Sequence, residues 1–223
     1  MSDVVIFGCK DIAQLASYYL ETDSQHNVAA FTAHKEFMEG DTFEDKPLVP
    51  FEEVENLFPP DKYLFFAPMT GSKMSKNRRA VYEEAKSKGY RFISYISSKA
   101  TTCHNTIGEN CFILEDNTLQ PFVTIGNNVV MWSGNHIGHH SVIKDHVFFT
   151  SHVVLSGHCT VEPHCWLGVN STIRDGACLS VGTLVAMGSC LTKATTAPWS
   201  VYMGVPAKQR ESKGVPARSD EVM

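Results

Sequence analysis

Between residues 107 and 191 a large apolar side chain returns every six residues, and few folds are compatible with such a register. The fifteen positions are Ile107, Ile113, Leu119, Ile125, Met131, Ile137, Ile143, Phe149, Leu155, Val161, Leu167, Ile173, Leu179, Val185 and Leu191. A small or short side chain stands four residues after each, from Cys111, Asn117 and Val123 through to Ser189 and Thr195. A period of six fits neither a helix at 3.6 nor a strand of simple alternation, and a fixed short period points to a repeat architecture. If each hexad forms one flat side of a triangular coil, eighteen residues close a turn and fifteen hexads make about five coils. The large residue and the small one four later then both face inward. Coils stacked about 4.8 Å apart would pair their backbone groups with those of the next coil. A sandwich, whose strands and turns vary in length, would lose the register.

The chain has 223 residues, room for one large or two modest domains, and its 43% hydrophobic content is ordinary for a globular protein. A net charge of -5 gives no general attraction to nucleic acid or to an anionic membrane, so neither is an expected partner. The start, MSDVVIFG, lacks a basic segment followed by a long apolar one, and nowhere do eighteen apolar residues run together. A cytoplasmic location is expected. Of seven cysteines, Cys111, Cys159 and Cys165 occupy the small inward slot, which suits reduced thiols used as small hydrophobes.

Ahead of the repeat, the order of segments predicts a small α/β unit with a parallel sheet over residues 1–100, as a separate domain. The strand-like runs are residues 4–7, 28–31, 63–67 and 92–97. Helix-like stretches begin at Asp11, a candidate cap, and at Ser75, and the stretch with Pro47 and Pro50 reads as a loop. In such a unit a phosphate-bearing ligand binds beyond the carboxyl ends of the strands, near a helix N-terminus. The turn Gly8-Cys9-Lys10-Asp11 is placed there, and Lys10 would bring a cation to a diphosphate. A second candidate is the loop Met69-Thr70-Gly71-Ser72-Lys73 leading to Lys76, Arg78 and Arg79, which also reads as a solvated basic helix face.

Segments such as Ile125-Gly126-Asn127-Asn128-Val129 resemble the repeat of the hexapeptide acyltransferases, whose fold is a left-handed parallel β-helix. Left-handedness is implied by the resemblance alone and is an exception to the usual crossover rule. With its Rossmann-like α/β domain ahead of the solenoid, the chain is similar over almost its whole length to the sialic acid O-acetyltransferase and nucleotide-aminosugar N-acetyltransferase family. The expected organisation is a nucleotide-sugar domain at 1–100, a β-helix at 101–200, and a C-terminal segment and tail at 201–223, with the charged tail fraying. The resemblance implies a homotrimer that binds acetyl-CoA between neighbouring subunits and a nucleotide-linked amino sugar in the first domain. Gly8, Cys9, Lys10, Phe31 and Trp132 are the expected sugar-nucleotide contacts. The family's Gly-rich turn after the first strand and acidic residues after the second are replaced here by Gly8-Cys9-Lys10-Asp11 and Phe31-Thr32-Ala33, which leaves the nucleotide and the sugar open.

Seven of the ten histidines fall between residues 136 and 164. His140, His146, His152, His158 and His164 share one place in successive hexads, three residues after the inward aliphatic. Spacing of eighteen would stack His140 beside His158 and His146 beside His164. They read as corner residues, with metal binding as the sharper alternative; no carboxylate or cysteine completes a ligand set, and no metal is expected. His139, four residues before Ile143, stands where the resemblance places the family's general base, although His140 follows it in place of an acidic residue. Acyl transfer needs such a base, because an ammonium or hydroxyl attacks a thioester only after losing a proton. By the same resemblance Gly157 supplies a backbone N–H to the oxyanion. Gly168, Val169, Asn170, Ala186, Met187 and Gly188 would line the pantetheine channel, and Gly204, Pro206 and Lys208 of the terminal YMGVPAK would meet the nucleotide end of CoA.

The expected activity is therefore acetyl transfer from acetyl-CoA to the amino group of a nucleotide-linked sugar, dideoxy in type, with sugar O-acetylation as the alternative. A zinc hydrase of the gamma carbonic anhydrase type shares the solenoid, but no two histidines here are five residues apart. A non-enzymatic scaffold would leave His139 and the GVPAK segment without a role.

Overall fold

The fold is that of a computed structural model, which describes residues 2–212, 215–216 and 218–222. In the first part, β1 (Ser2–Phe7), α1 (Asp11–Asp23), β2 (His26–Ala33), β3 (Thr42–Phe43), β4 (Lys46–Pro50), the short α2 (Val54–Leu57), β5 (Leu64–Phe66) and α3 (Lys76–Ser87) follow in order. The sheet runs β3-β4-β2-β1-β5 and is parallel except for the β3–β4 hairpin. The stretch expected to be a loop therefore contains a strand. Three residues of β4, Leu48 to Pro50, pair with Phe31 to Ala33, and burial of Leu48 outweighs the turn signal of the two prolines. Asp11 is the first helical residue of α1 rather than its cap; Lys10 holds that place without a side-chain hydrogen bond.

The FISYIS stretch spans two parts of the fold. Its start lies along β5, where the Phe65 N–H donates to Arg91 O and the Ile93 N–H donates to Phe65 O. Two residues later β6 (Tyr95–Ile96) pairs with the first full coil instead. One continuous hydrophobic cluster follows this crossing, from Val4, Ile6 and Phe66 to Phe112, Val130 and Phe148.

From β7 (Thr106–Ile107) to β21 (Cys190–Leu191), fifteen two-residue strands stack in three parallel sheets, each strand paired with the one eighteen residues on. The chain is thus a parallel β-helix with a triangular section. The large residue and its small follower both point inward, and from Cys111 to Leu191 all are nearly inaccessible. Most of the buried polar small residues are hydrogen-bonded, the Ser171 hydroxyl being an exception. Asn135 Nδ2 donates to Asn117 Oδ1 at 2.8 Å, and the Val153 N–H donates to Asn135 Oδ1 at 2.8 Å. The register slips by one residue at its end: Thr195 is exposed, and Thr196 fills the last slot beside Thr183.

The repeated histidines have a backbone reason. His140, His146, His152, His158 and His164 have φ between 55° and 64°, as do the corner residues Asn110, Asn128 and Asn170 close to that range. This left-handed conformation suits Asn, Asp, His and Gly better than other residues. Most corners turn through such a residue; Phe122, with φ of 67°, is an exception.

One edge of the prism is covered by α3 and the loop before it. Arg78 is fully buried there, not solvated. Its guanidinium donates to the carbonyls of Met69, Thr70, Asn128, His146 and Val147 and to Asn128 Oδ1, at 3.1 to 3.2 Å, and burial lowers its pKa to about 9. The tail also reaches this edge and does not fray throughout. After β22 (Val201–Met203), β23 (Lys208–Gln209) and the hairpin of β24 (Glu211–Ser212) with β25 (Val215–Pro216), the Ser219 N–H donates to Trp199 O at 3.0 Å. Its hydroxyl donates to Gly182 O at 2.5 Å, and Asp220 pairs with Lys76. The remaining tail residues, including 213–214, 217 and 223, lie outside the described ones.

Buried beneath α3, His146 stacks on His164 with ring centroids 5.1 Å apart. Asn128 Oδ1 accepts from Arg78 and Asn110, so its amide nitrogen donates to His146 Nδ1. Desolvation first, then the neighbouring His164, hold the His146 pKa down at about 4, while His164 is also lowered, chiefly by burial. The unfolded chain binds a proton near pH 6.5 that folded His146 refuses, so this stability is present above that pH and is lost as pH falls towards 4. Between pH 7.5 and 5 the loss from His146 is expected to be about 2 kcal/mol. Denaturant melts at the two pH values should show it, and His146→Asn, which keeps a residue tolerant of the corner conformation, should flatten the dependence.

Candidate active site

Two places gather the residues singled out by sequence. The first is a cavity of about 810 Å³ between the start of α1 and the Met69–Thr70 loop. Gly8, Cys9 and Lys10 border it, with His34, Phe37 and Phe43 on the far wall. Gly8 is required here. Its φ is 122°, and a Cβ would lie 3.1 Å from Ala13 Cβ of α1. Two expected contacts do not join the cavity. Phe31 is fully buried behind Phe43, which itself lines the cavity, and Trp132 borders a separate cleft of about 540 Å³ on the other side of Gln14. Cys9 Sγ is turned to Phe37 O at 3.4 Å, and burial raises the pKa of its thiol.

The second place is an edge of the prism built by residues 138–140, 156–158 and 174–176, one coil apart. His139 is exposed and fixed by its backbone: its N–H donates to Gln120 Oε1 at 2.9 Å, and its carbonyl accepts from the His158 N–H at 2.9 Å. Its ring lies against Gly157. A Cβ on that glycine would be 2.9 Å from His139 Cε1, 3.0 Å from Nε2 and 3.1 Å from Asp175 Oδ1. The Gly157 N–H donates to no acceptor among the described residues, while its carbonyl accepts from Gly176. An imidazole edge, an unpaired amide and a carboxylate therefore converge where the glycine leaves space.

His140 and His158 stack with centroids 4.9 Å apart and planes 14° from parallel, and Phe122 packs on His140 at 4.6 Å. Sequence reading passed over Gln120, Phe122 and Asp175, though spacing of eighteen aligns Phe122 with His140 and Asp175 with Gly157. Ring nitrogens of His139, His140 and His158 lie within 4.8 Å of one another, near enough to face one cation. The stacked planes of His140 and His158 keep their nitrogens side by side instead of converging.

The expected CoA residues are on a different edge. Residues 168–170 and 186–188 form two successive corners there, so close that a Cβ on Gly168 would be 2.4 Å from Met187 N. Val169 and Met187 are exposed, Met187 at 71%. Gly204 and Pro206 lie beside the next strand, with Gly204 O accepting from the Cys190 N–H and the Ala207 N–H donating to Cys190 O, and Lys208 extends outward. Within one chain, then, His139 and Gly157 are together, the channel residues are together, and the two groups occupy separate edges.

This architecture, an α/β unit packed on a triangular β-helix, is shared with solved acyltransferase structures. No family model matches the chain, and no curated protein does. Among solved structures, the acetyltransferase domain of PglB from Neisseria gonorrhoeae superposes with a TM-score of 0.80 at 15% identity, over 94% of this chain and 100% of that one. A histidine-to-asparagine mutant of perosamine N-acetyltransferase from Caulobacter crescentus, in complex with CoA and GDP-perosamine, gives 0.83 at 17%, over 95% and 98%. WeeI from Acinetobacter baumannii gives 0.77 at 17%, over 94% and 100%. The chain has their fold.

Proposed function

We propose that the chain transfers the acetyl group of acetyl-CoA to the amino group of a nucleotide-linked sugar. The observation that carries this reading is the His139 edge lying against Gly157, whose N–H has no acceptor among the described residues. His139 Nε2 takes the proton of the attacking amine, the nitrogen bonds to the thioester carbon, and the carbonyl electrons move to an oxygen facing the Gly157 N–H. Collapse breaks the carbon–sulfur bond, and the CoA thiolate leaves with the proton held by His139. The fold likeness to enzymes solved with CoA, acetyl coenzyme A and GDP-perosamine supports the same classes of ligand here.

The division at residues 100 and 200 and the left-handed coil belong to this reading. The first cavity, with Lys10 at its mouth, is assigned to the nucleotide. The channel residues and His139 lie on separate edges of one chain, so a complete site requires a second copy, and a three-fold ring of subunits would bring one edge against the other. No described helix is long and apolar enough to cross a membrane.

Light scattering at micromolar concentration is expected to give three times the 24.7 kDa chain mass, and a stable monomer would contradict the shared site. A thermal-shift screen of UDP-, dTDP-, GDP- and CMP-linked sugars, with and without acetyl-CoA, ranks the nucleotides through ligand-linked stabilisation. Lys10→Ala should weaken the preferred sugar nucleotide about tenfold, the scale of one charge-assisted contact, and leave acetyl-CoA binding unchanged in calorimetry. Equal loss for both ligands would mean that the nucleotide lies elsewhere.

A further inference from the structure

We propose that His140 is the positioning residue for His139 and that the two imidazoles form a pair which acts as a base only when both are neutral. This rests on the reading of His139 as general base. The Nδ1 atoms of the two rings are 3.1 Å apart, a contact that holds one hydrogen between two nitrogens. When His139 donates, its Nε2 lone pair is bare on the Gly157 side. When His140 donates, His139 carries its hydrogen on Nε2 and cannot accept a proton. Protonation of His140 locks the second arrangement, and protonation of His139 fills the lone pair directly. A single proton taken up by the pair therefore stops the reaction, wherever it sits.

His140 is held for this task. Phe122 packs on its ring from the preceding coil at 4.6 Å and His158 from the following coil at 4.9 Å, so the ring is clamped between two flat neighbours. Phe122 adopts φ of 67°, a conformation that a bulky aromatic rarely takes, and its side chain is 71% exposed. Its ring meets that of His140 there, with planes 37° apart. The ionisable groups facing the pair are His158, edge-on to His139 at 4.9 Å, and Asp175. Asp175 Oδ1 meets the same face of Gly157 as His139 Nε2, and among the described residues the hydrogen bond of His139 Nδ1 is to His140. His140 is thus the acceptor for the Nδ1 hydrogen that a carboxylate would otherwise take. In the reaction, the amine proton passes to Nε2 while the Nδ1 hydrogen stays bonded to neutral His140.

The corner conformation supplies a clean test, because φ of 58° at His140 suits Gly and Asn without backbone strain. His140→Gly removes the acceptor and is expected to lower kcat about tenfold or more, with KM for both substrates within about twofold, as for a loss of orientation alone. His140→Asn offers a carbonyl that accepts from Nδ1 but does not titrate. It should return kcat to within about threefold of wild type, and its rate should begin to rise at a lower pH than that of wild type, since a second protonation no longer blocks the base. A Gly variant with wild-type kcat and an unmoved pH profile would overturn the proposal, as would a loss in Gly that Asn does not restore. The parent reading is separated by His139→Asn. If that variant turns over normally the base assignment has failed, whereas if it is crippled while His140→Gly is intact, only the role of His140 has failed.

Discussion

His139→Asn is expected to lower turnover of an amino-sugar nucleotide by roughly 100-fold or more while leaving the affinities for both substrates and the melting temperature unchanged. The side chain is exposed, and the local chain is fixed by its N–H to Gln120 and its carbonyl to His158, contacts that Asn retains. Asn cannot accept a proton at the position of Nε2. An imidazole must be neutral to act, so the wild-type rate should rise with pH as the imidazole loses its proton, and that limb should disappear in the mutant. A protonated substrate amine can produce a similar limb, which makes its loss in the mutant the deciding control. If His136→Asn abolished turnover while His139→Asn kept it, the base would lie at another place on the coil. Equal, wild-type rates would leave a site that works by proximity and the Gly157 amide alone.

The second large effect is on stability. Arg78→Met is expected to destabilise the fold by about 4 kcal/mol, as when a buried, fully bonded charge is removed and its acceptors are left behind. Five backbone carbonyls and the Asn128 side chain lose their donor, and these belong both to the loop at 69–70 and to the coils at 128 and 146–147. The cation also lies over Phe148 at 5.5 Å. For a chain of this size the melting temperature should drop by roughly 10 °C. Arg79→Met is the control. Arg79 is exposed and pairs with Glu83 one turn on, a contact worth about 0.3–0.5 kcal/mol. If the two variants melted together, α3 would be an appendage rather than the cover of that edge.

The coils were legible because one residue in six must be large and apolar to fill the prism, and the rule repeats often enough to leave no other period. The histidine series was legible as a position but not as a cause. Its cause is backbone conformation, since His occupies the same left-handed corner as Asn110, Asn170 and Gly176. Arg78 was misread for a local reason. Its neighbours Lys76 and Arg79 made a basic surface the natural reading, yet Arg78 shares a face with Val81, Tyr82 and Ala85, all buried at helical spacing. Periodicity carried that signal, and charge obscured it. The strand at Lys46–Pro50 was hidden by its prolines, and the docking of Ser219 depends on a carbonyl at Gly182 that no sequence pattern marks. Gly157 and His139 are eighteen residues apart, so their juxtaposition followed once the coil length was known. The contact of His139 with His140 depends on side-chain orientation, which the period does not encode.

The most direct measurement is acetyl transfer itself. Purified protein is incubated with isotope-labelled acetyl-CoA and the amino-sugar nucleotide selected by thermal shift, and the product is analysed by mass spectrometry together with free thiol release. One labelled acetyl group on the sugar nitrogen for each CoA released, lost in His139→Asn, is the expected result. Thiol release without sugar labelling, labelling on a hydroxyl, or an unchanged rate in the mutant would contradict N-acetyl transfer at the His139–Gly157 edge.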